Sequence, residues 1–456
     1  MNTYTNAIEL IGDTPLVEVT ALDTGPCRLF LKLENTNPTG SIKDRIGLSM
    51  VEAAEASGAL GPGGTLVEGT AGNTGLALAL VAQQKGYRVV IVIPDKMSRA
   101  KIFNLKAMGA EVIMTRSDVG KGHPEYYQDM AERIAGERDN AVYVNQFGNP
   151  ANPLAHERGT GPEILEQMAG DVHAVICGVG SGGTMTGLSR FFSRASPGTE
   201  MVLADPAGSI LADYVNTGKV GEVTGSWLIE GIGEDFVPPV SDLSGVTRAI
   251  SITDAESFRT ARELLHREGI LGGTSTGTCL AAALRYCRAQ ATPRNVVTFV
   301  CDTGNKYLST LYNDHWMIDQ GFLEGEHYGD LRDLIKHPYA AHDTVVIGPD
   351  ELLMSAYARM KLYDVSQLPV IENDSIVGII DESDVLMAVY GNEDHFRTPV
   401  REVMSTELQK VDVNAGLDEL VQVFNEDHVA IVTDGDAFHG LVTRIDLLHY
   451  LRRRVD

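Results

Sequence analysis

Cysteine, tryptophan and basic residues are scarce in this chain, and no apolar run in it is long. Its five cysteines (Cys27, Cys177, Cys279, Cys287, Cys301) are scattered without CxxC spacing, which excludes a disulfide framework or zinc cluster of the usual kind and points to buried thiols. The twelve histidines form no metal-ligand spacing, and no metal is expected. No segment approaches the ~18 consecutive apolar residues that span a bilayer. The opening MNTYTNAIELIGDTPLVEV has no basic start followed by an apolar run; neither a secretory signal nor a transit peptide is predicted, and a cytoplasmic location is expected. Lys and Arg number 37 against 62 Asp and Glu, a net charge of -25. Binding a phosphate backbone needs a basic stripe, so neither nucleic acid nor a membrane surface is an expected partner.

What remains is globular: 43% hydrophobic and 22% charged residues over 456 positions suit two or three domains. From about Gly12 to Leu311, β-rich runs alternate with helical ones: TLVEGT then TGLALALVAQQKG, YRVVIVIP then SRAKIFNLKAMG, HAVICGVG then TMTGLSRFFSR. That alternation predicts an α/β fold of parallel strands with crossover helices, with ligands at the strand ends. Beyond it lies an acidic segment with an internal repeat. LPVIENDSIVGIIDESDVL realigns with VAIVTDGDAFHGLVTRIDLL, so that Gly378 matches Gly440 and Asp384 matches Asp446. Each copy reads helix, strand, turn, strand, helix, and one alone would leave an apolar sheet face uncovered. The expected division is a catalytic domain over 1–318, a linker over 319–332 and a module over 333–456, with repeats at about 333–392 and 393–456.

Three loops carry chemistry, and all three are expected at strand ends of one sheet. GVGSGG (Gly178 to Gly183) follows a strand and precedes a helix near Thr184. Its N–H groups suit a phosphate of a mononucleotide-type ligand, a dinucleotide with Asp205 as the acidic partner, or a purely structural turn. EGTAGNTG (Glu68 to Gly75) offers N–H groups and Thr hydroxyls to a second anion, or an N-cap at Asn73 or Thr74. GGTSTGT (Gly272 to Thr278) supplies hydroxyls ahead of the helix CLAAALRYCRA. In NPTGSIKDR, Lys43 sits where a helix should start, and Ser41 with Asp44 fits a capping box that would make it an ordinary surface lysine.

Lys43 in NPTGSIKDR, TAGNTG, GSGGT and GGTSTG together resemble the fold-type II pyridoxal-phosphate enzymes of cysteine metabolism, over roughly residues 5 to 315. The repeat resembles a tandem pair of CBS domains of βαββα type, and the whole chain is similar to the cystathionine β-synthase family. The implied fold is two α/β subdomains with parallel-rich sheets followed by the CBS module. The resemblance implies that Lys43 holds pyridoxal 5'-phosphate and is catalytic. Cofactor binding falls to Lys43, Asn73, Gly180, Ser181, Gly182, Gly183, Thr184 and Ser275; Asn73 meets the phenolic oxygen and Ser275 the pyridine nitrogen. Substrate binding falls to Thr70, Ala71, Gly72, Thr74, Gln146 and Gly231. Positive surroundings at a helix start would depress the Lys43 amine. Asp205 then has no dinucleotide to bind.

The implied reaction is β-replacement, condensing L-serine with L-homocysteine to L-cystathionine and water, with hydrogen sulfide release from cysteine as a side activity. EGIGEDFVP, with Asp235, resembles the synthases. QFGNPANPLAHERGTGPEI, with Phe147 where animal synthases carry tyrosine, is more like the O-acetylserine sulfhydrylases; Ala71 replaces the usual serine of TSGNTG, and Glu234 a tyrosine. A sulfhydrylase using sulfide, or a non-catalytic nucleotide-sensing protein, are the alternatives. The catalytic fold begins near Ile8, leaving no segment for a haem ligand pair, and no haem is expected. In the module, GLVTRID fits the pattern by which CBS domains bind an adenosyl ligand, through Thr443 and Asp446; equally, these two could cap a helix. Asp381 in the first copy would repel a phosphate. A homo-oligomer, minimally a homodimer, is expected.

Overall fold

The computed structural model describes residues 3–70, 72–95, 99–221 and 225–452. The chain divides into two compact units, Met1–Asn313 and Asp314–Asp456. The first contains two sheets. One has six strands in the order β1 (Leu16–Glu18), β2 (Arg28–Leu33), β10 (Asn295–Val300), β7 (Ala174–Cys177), β8 (Glu200–Pro206), β9 (Val246–Ile252). The other has four, in the order β5 (Glu111–Thr115), β4 (Arg88–Pro94), β3 (Thr65–Gly69), β6 (Ala141–Tyr143). Every pairing is parallel except β1 with β2.

These strands are continuous apolar runs because both faces are covered. Along β7, Ala174 and Ile176 join one core with Leu29, Leu31 and Val296, while Val175 and Cys177 join another with Leu203 and Phe299. The four-stranded sheet behaves alike: Leu66 and Ile91 pack on one side, Val67 and Val90 on the other. All five cysteines are free thiols, four of them buried, as their scatter implies. Among the described residues no helix is long and apolar enough to cross a membrane.

Two local expectations are overturned. The second and third loops do not share a sheet with the first. EGTAGNTG begins on the last two residues of β3 in the four-stranded sheet, whereas GGTSTGT lies between helix Asp254–Glu268 and the first turn of helix Thr274–Arg288, tied down by a bridge between Gly272 and Thr303. The capping box at Ser41 and Asp44 does not form. Ser41 is held in a bridge to Asp302, and the Asp44 carboxylate turns back to accept the Thr39 backbone N–H at 2.7 Å and the Thr39 hydroxyl. Helix Lys43–Ala56 therefore starts without a side-chain cap, its first turn fixed by the chain that precedes it.

The second unit repeats a pattern. Helix Leu353–Tyr363, strands β11 (Gln367–Glu372) and β12 (Ser375–Asp381) and helix Glu382–Val389 form the first copy. β13 (Lys410–Asp412), helix Leu417–Asn425, β14 (Ala430–Asp434), β15 (Ala437–Val442) and helix Arg444–Arg452 form the second, in βαββα order. Leu331 and Leu334 are buried with Val411, Leu420 and Val442, so the end of the expected linker belongs to this core.

Candidate active site

Lys43 is placed by ion pairs, one of which is buried on both sides. Arg45, two residues on, pairs with Glu34 at 2.7 Å and with Glu163 at 2.7 Å, and Lys32 of β2 reaches Glu163 at 2.7 Å. Burial opposes ionisation of Glu163, yet the Arg45 and Lys32 charges hold its carboxyl down to about 2. Removing one partner from such a network would leave an uncompensated buried charge, so the helix start is strongly fixed. On the other side the Ile42 N–H donates to Cys301 O at 2.9 Å, just past β10. Lys43 thus stands at the junction of the two sheets, and its Nζ makes no ion pair among the described residues. Burial pushes the amine below the usual lysine range, against the pull of Cys301, Asp302 and Glu234. Desolvation, and not the positive surroundings expected from sequence, lowers it.

The cleft around Lys43 is lined by Asn73, Gly180, Ser181, Gly182, Thr184, Gly231 and Ser275. It opens into a larger cavity of about 1000 Å³, where Thr70, Gly72, Thr74 and Gln146 stand with Glu230 and Glu234. All but two of the cofactor- and substrate-binding residues expected from sequence are therefore brought together. Gly183 lies off the lining, against Asn152, and Ala71 lies outside the described residues. Thr443 and Asp446 belong to the second unit. There Asp446 accepts the Thr443 N–H at 2.8 Å and its hydroxyl at 2.5 Å, the helix-cap arrangement.

The glycine loop after β7 is shaped by what packs on it. A Cβ on Gly180 would stand 2.4 Å from the Gly231 carbonyl oxygen, one on Gly182 (φ +89°) 1.7 Å from Ser241 Oγ, and one on Gly183 1.7 Å from Asn152 Oδ1. Ser241 Oγ and Asn152 Oδ1 are buried without hydrogen-bond partners. A bare helix start, Gly183–Ala195, beside an unsatisfied buried hydroxyl fits a phosphate. An uncharged-capable amine on one wall and the Ser275 hydroxyl on another complete a donor set that suits pyridoxal phosphate.

Several residues of the site were not singled out in the sequence. Asn73 caps no helix: its Nδ2 donates to Asp302 Oδ2 at 2.8 Å, and Lys306 Nζ donates to its Oδ1 at 2.5 Å. Tyr307 OH also donates to Asp302 Oδ2 at 2.8 Å, while Asp302 Oδ1 is buried without a partner. His156 lies in a π-turn over His156–Thr160, within hydrogen-bond reach of Thr184 Oγ1 (3.2 Å) and Thr160 Oγ1 (2.9 Å). Burial, helped by the Arg45 and Lys43 charges, keeps that imidazole neutral. Asp205, once a dinucleotide candidate, instead accepts the Ala212 N–H at 2.8 Å.

Glu68, in β3 at the head of the EGTAGNTG string, is fully buried, its Oε2 accepting the Gln146 N–H at 3.2 Å and its Oε1 unpartnered. Burial raises this carboxyl to about 8. Between the ordinary ~4.3 and that value the unfolded chain has released the proton and the folded one has not, so stability falls as pH rises through the window. In Glu68→Gln this dependence should flatten. Thermal melts at about pH 5 and about pH 8 are expected to show a drop at least ~2 °C larger in the parent protein; parallel curves would refute the assignment.

The pattern of the pyridoxal-phosphate dependent enzyme family matches residues 8–302, and that of the CBS domain matches 331–391 and 400–453. The chain belongs to the pyridoxal-phosphate dependent enzyme family. It is 35% identical to a cystathionine β-synthase of Dictyostelium discoideum over 98% of this chain and 92% of that protein. It is 40% identical to cysteine synthase 1 of Neurospora crassa, over 69% of this chain and 84% of that protein. A solved hydrogen sulfide-producing enzyme from Fusobacterium nucleatum superposes with a TM-score of 0.62 at 35% identity, covering 67% of this chain and all of that one. The first of these three similarities covers nearly all of this chain, the other two about two thirds of it.

Proposed function

We propose that this family member catalyses β-replacement on an amino acid, joining L-serine and L-homocysteine into L-cystathionine with release of water. The observation that carries the reading is a desolvated Lys43, without an ion pair among the described residues, sharing one cleft with the glycine loop and Ser275, in a chain similar over 98% of its length to a cystathionine β-synthase.

Lys43, Asn73, Ser275 and the loop from Gly180 to Thr184 would hold pyridoxal phosphate, which when bound withdraws electrons from the substrate Cα. The chain's own residues do the rest. Lys43 Nζ, whose proton affinity burial has lowered, takes the Cα proton and later returns one. Thr70, the Gln146 Nε2 amide, oriented by the Thr74 hydroxyl that donates to Gln146 Oε1 at 2.7 Å, and the N-terminus of helix Asn73–Lys85 offer donors to the substrate carboxylate. At Cβ the C–O bond breaks and a C–S bond forms, the hydroxyl leaving as water. A neutral Ser275 hydroxyl does not stabilise positive charge on a ring nitrogen as an aspartate would, which favours elimination over a long-lived carbanion.

Glu234 lines the cavity that the thiol would occupy. Burial, reinforced by Asp235, raises the Glu234 carboxyl to about 8, so at neutral pH it carries little charge to repel a thiolate. Lys101, paired with Glu230, and Lys306 place cations in the same cavity. A second reading, an O-acetylserine sulfhydrylase, is supported by the similarity to cysteine synthase 1 over 69% of this chain and by Phe147 in the cavity wall. Measuring kcat/KM for serine with homocysteine against O-acetylserine with sulfide separates them. The synthase reading expects at least ~10-fold preference for the first pair; the reverse preference would overturn it.

A further inference from the structure

In the second unit two imidazoles converge on one carboxylate. His315 Nε2 and His337 Nδ1 each lie 2.8 Å from Asp343 Oδ2. The rings stand edge to face, 5.6 Å between centroids at 63°, and one ligand atom from each of the three residues lies within 4.8 Å of the others. We propose that His315, His337 and Asp343 form a binding site for a single divalent transition-metal ion of the zinc class.

Two of the ligands are pre-set on one turn. The Asp343 N–H donates to Pro338 O at 3.3 Å, the His342 N–H to Tyr339 O at 2.9 Å, and Thr344 Oγ1 to His337 O at 2.5 Å. His342 takes a positive φ of 57°, and the reversal brings Asp343 back beside His337. The third ligand comes from helix Asp314–Asp319, so an ion here ties that helix to the loop leading into the first repeat. Zinc sits about 2.0 to 2.2 Å from imidazole nitrogen and carboxylate oxygen. Insertion therefore needs the Asp343 oxygen to retreat by a fraction of an ångström while the two nitrogens close in. Two neutral nitrogens and one anionic oxygen select the zinc class over calcium or magnesium, which demand oxygen ligands. His315 and Asp343 are each 38% exposed and His337 is 52% exposed, which gives the ion an entry path and leaves its fourth position to water.

The full-length, cofactor-loaded protein, treated with a chelator and dialysed, is titrated with Zn²⁺ calorimetrically and with Co²⁺ by visible absorption. One equivalent should bind saturably, Co²⁺ should give ligand-field bands, and Zn²⁺ should raise the unfolding temperature. His315→Ala, His337→Ala and Asp343→Asn should each weaken that equivalent at least ~10-fold. Because all three side chains are partly exposed, the variants should fold, and circular dichroism checks this. Absence of saturable binding, or binding unaltered in all three variants, would overturn the site.

Discussion

Replacing Lys43 by alanine is expected to lower turnover of serine and homocysteine at least ~10³-fold, because one amine serves as cofactor anchor, base and acid. The variant should also lose the yellow colour of covalently held cofactor. Its fold should survive: the ion pairs that fix this helix start use Arg45, Glu34, Glu163 and Lys32, not Lys43. Lys43→Arg separates charge from chemistry, since a guanidinium restores the cation but gives up no proton near neutral pH. Both variants should be comparably inactive. Undiminished turnover in Lys43→Ala, with native circular dichroism, would remove the basis for the proposed mechanism.

The second large effect is steric. In Gly180→Ala the new methyl would stand 2.4 Å from the Gly231 carbonyl oxygen, a backbone atom that cannot rotate away. Either the loop after β7 or the segment carrying Gly231 must move, and both line the same cleft. Overpacking of this kind costs ~1 to 3 kcal/mol; if it falls on the holo state, cofactor affinity drops about 10- to 100-fold. Gly178→Ala is the graded comparison. There the nearest neighbours are Ile232 side-chain atoms, the closest at 2.7 Å, with no backbone atom among the three nearest, so a smaller loss is expected. Equilibrium dialysis of cofactor against both variants gives the ranking, and equal affinities would count against the loop as a cofactor cradle.

Much of this site was readable from short strings because its parts are local. The glycine loop must lack side chains for a reason visible in six consecutive residues, and a lysine after a Pro/Gly turn is conspicuous once three loops accompany it. The repeat was readable because Gly378 and Gly440 recur at corresponding points of β12 and β15. Asp302 was not, because its bond to Asn73 joins residues 229 apart in sequence and nothing beside it in CDTGN marks it. Glu68 looked like a loop residue, and its chemistry comes wholly from burial. The Ser41/Asp44 capping box misled in the opposite sense: the local pattern was correct as a pattern, but the bridge from Ser41 to Asp302 decided the geometry. The histidine and aspartate cluster escaped because spacing rules test neighbours in sequence, whereas His315 and His337 lie on different segments.

The position of β10 has a consequence for how this protein is made. Among the described residues β2 and β7 are joined only through β10, the last strand of the first unit to leave the ribosome. Until residue 300 has emerged, two long-finished strands each present an unpaired edge, the kind of surface that recruits foreign strands. Late nascent chains of this protein are thus the stage most in need of a holding chaperone.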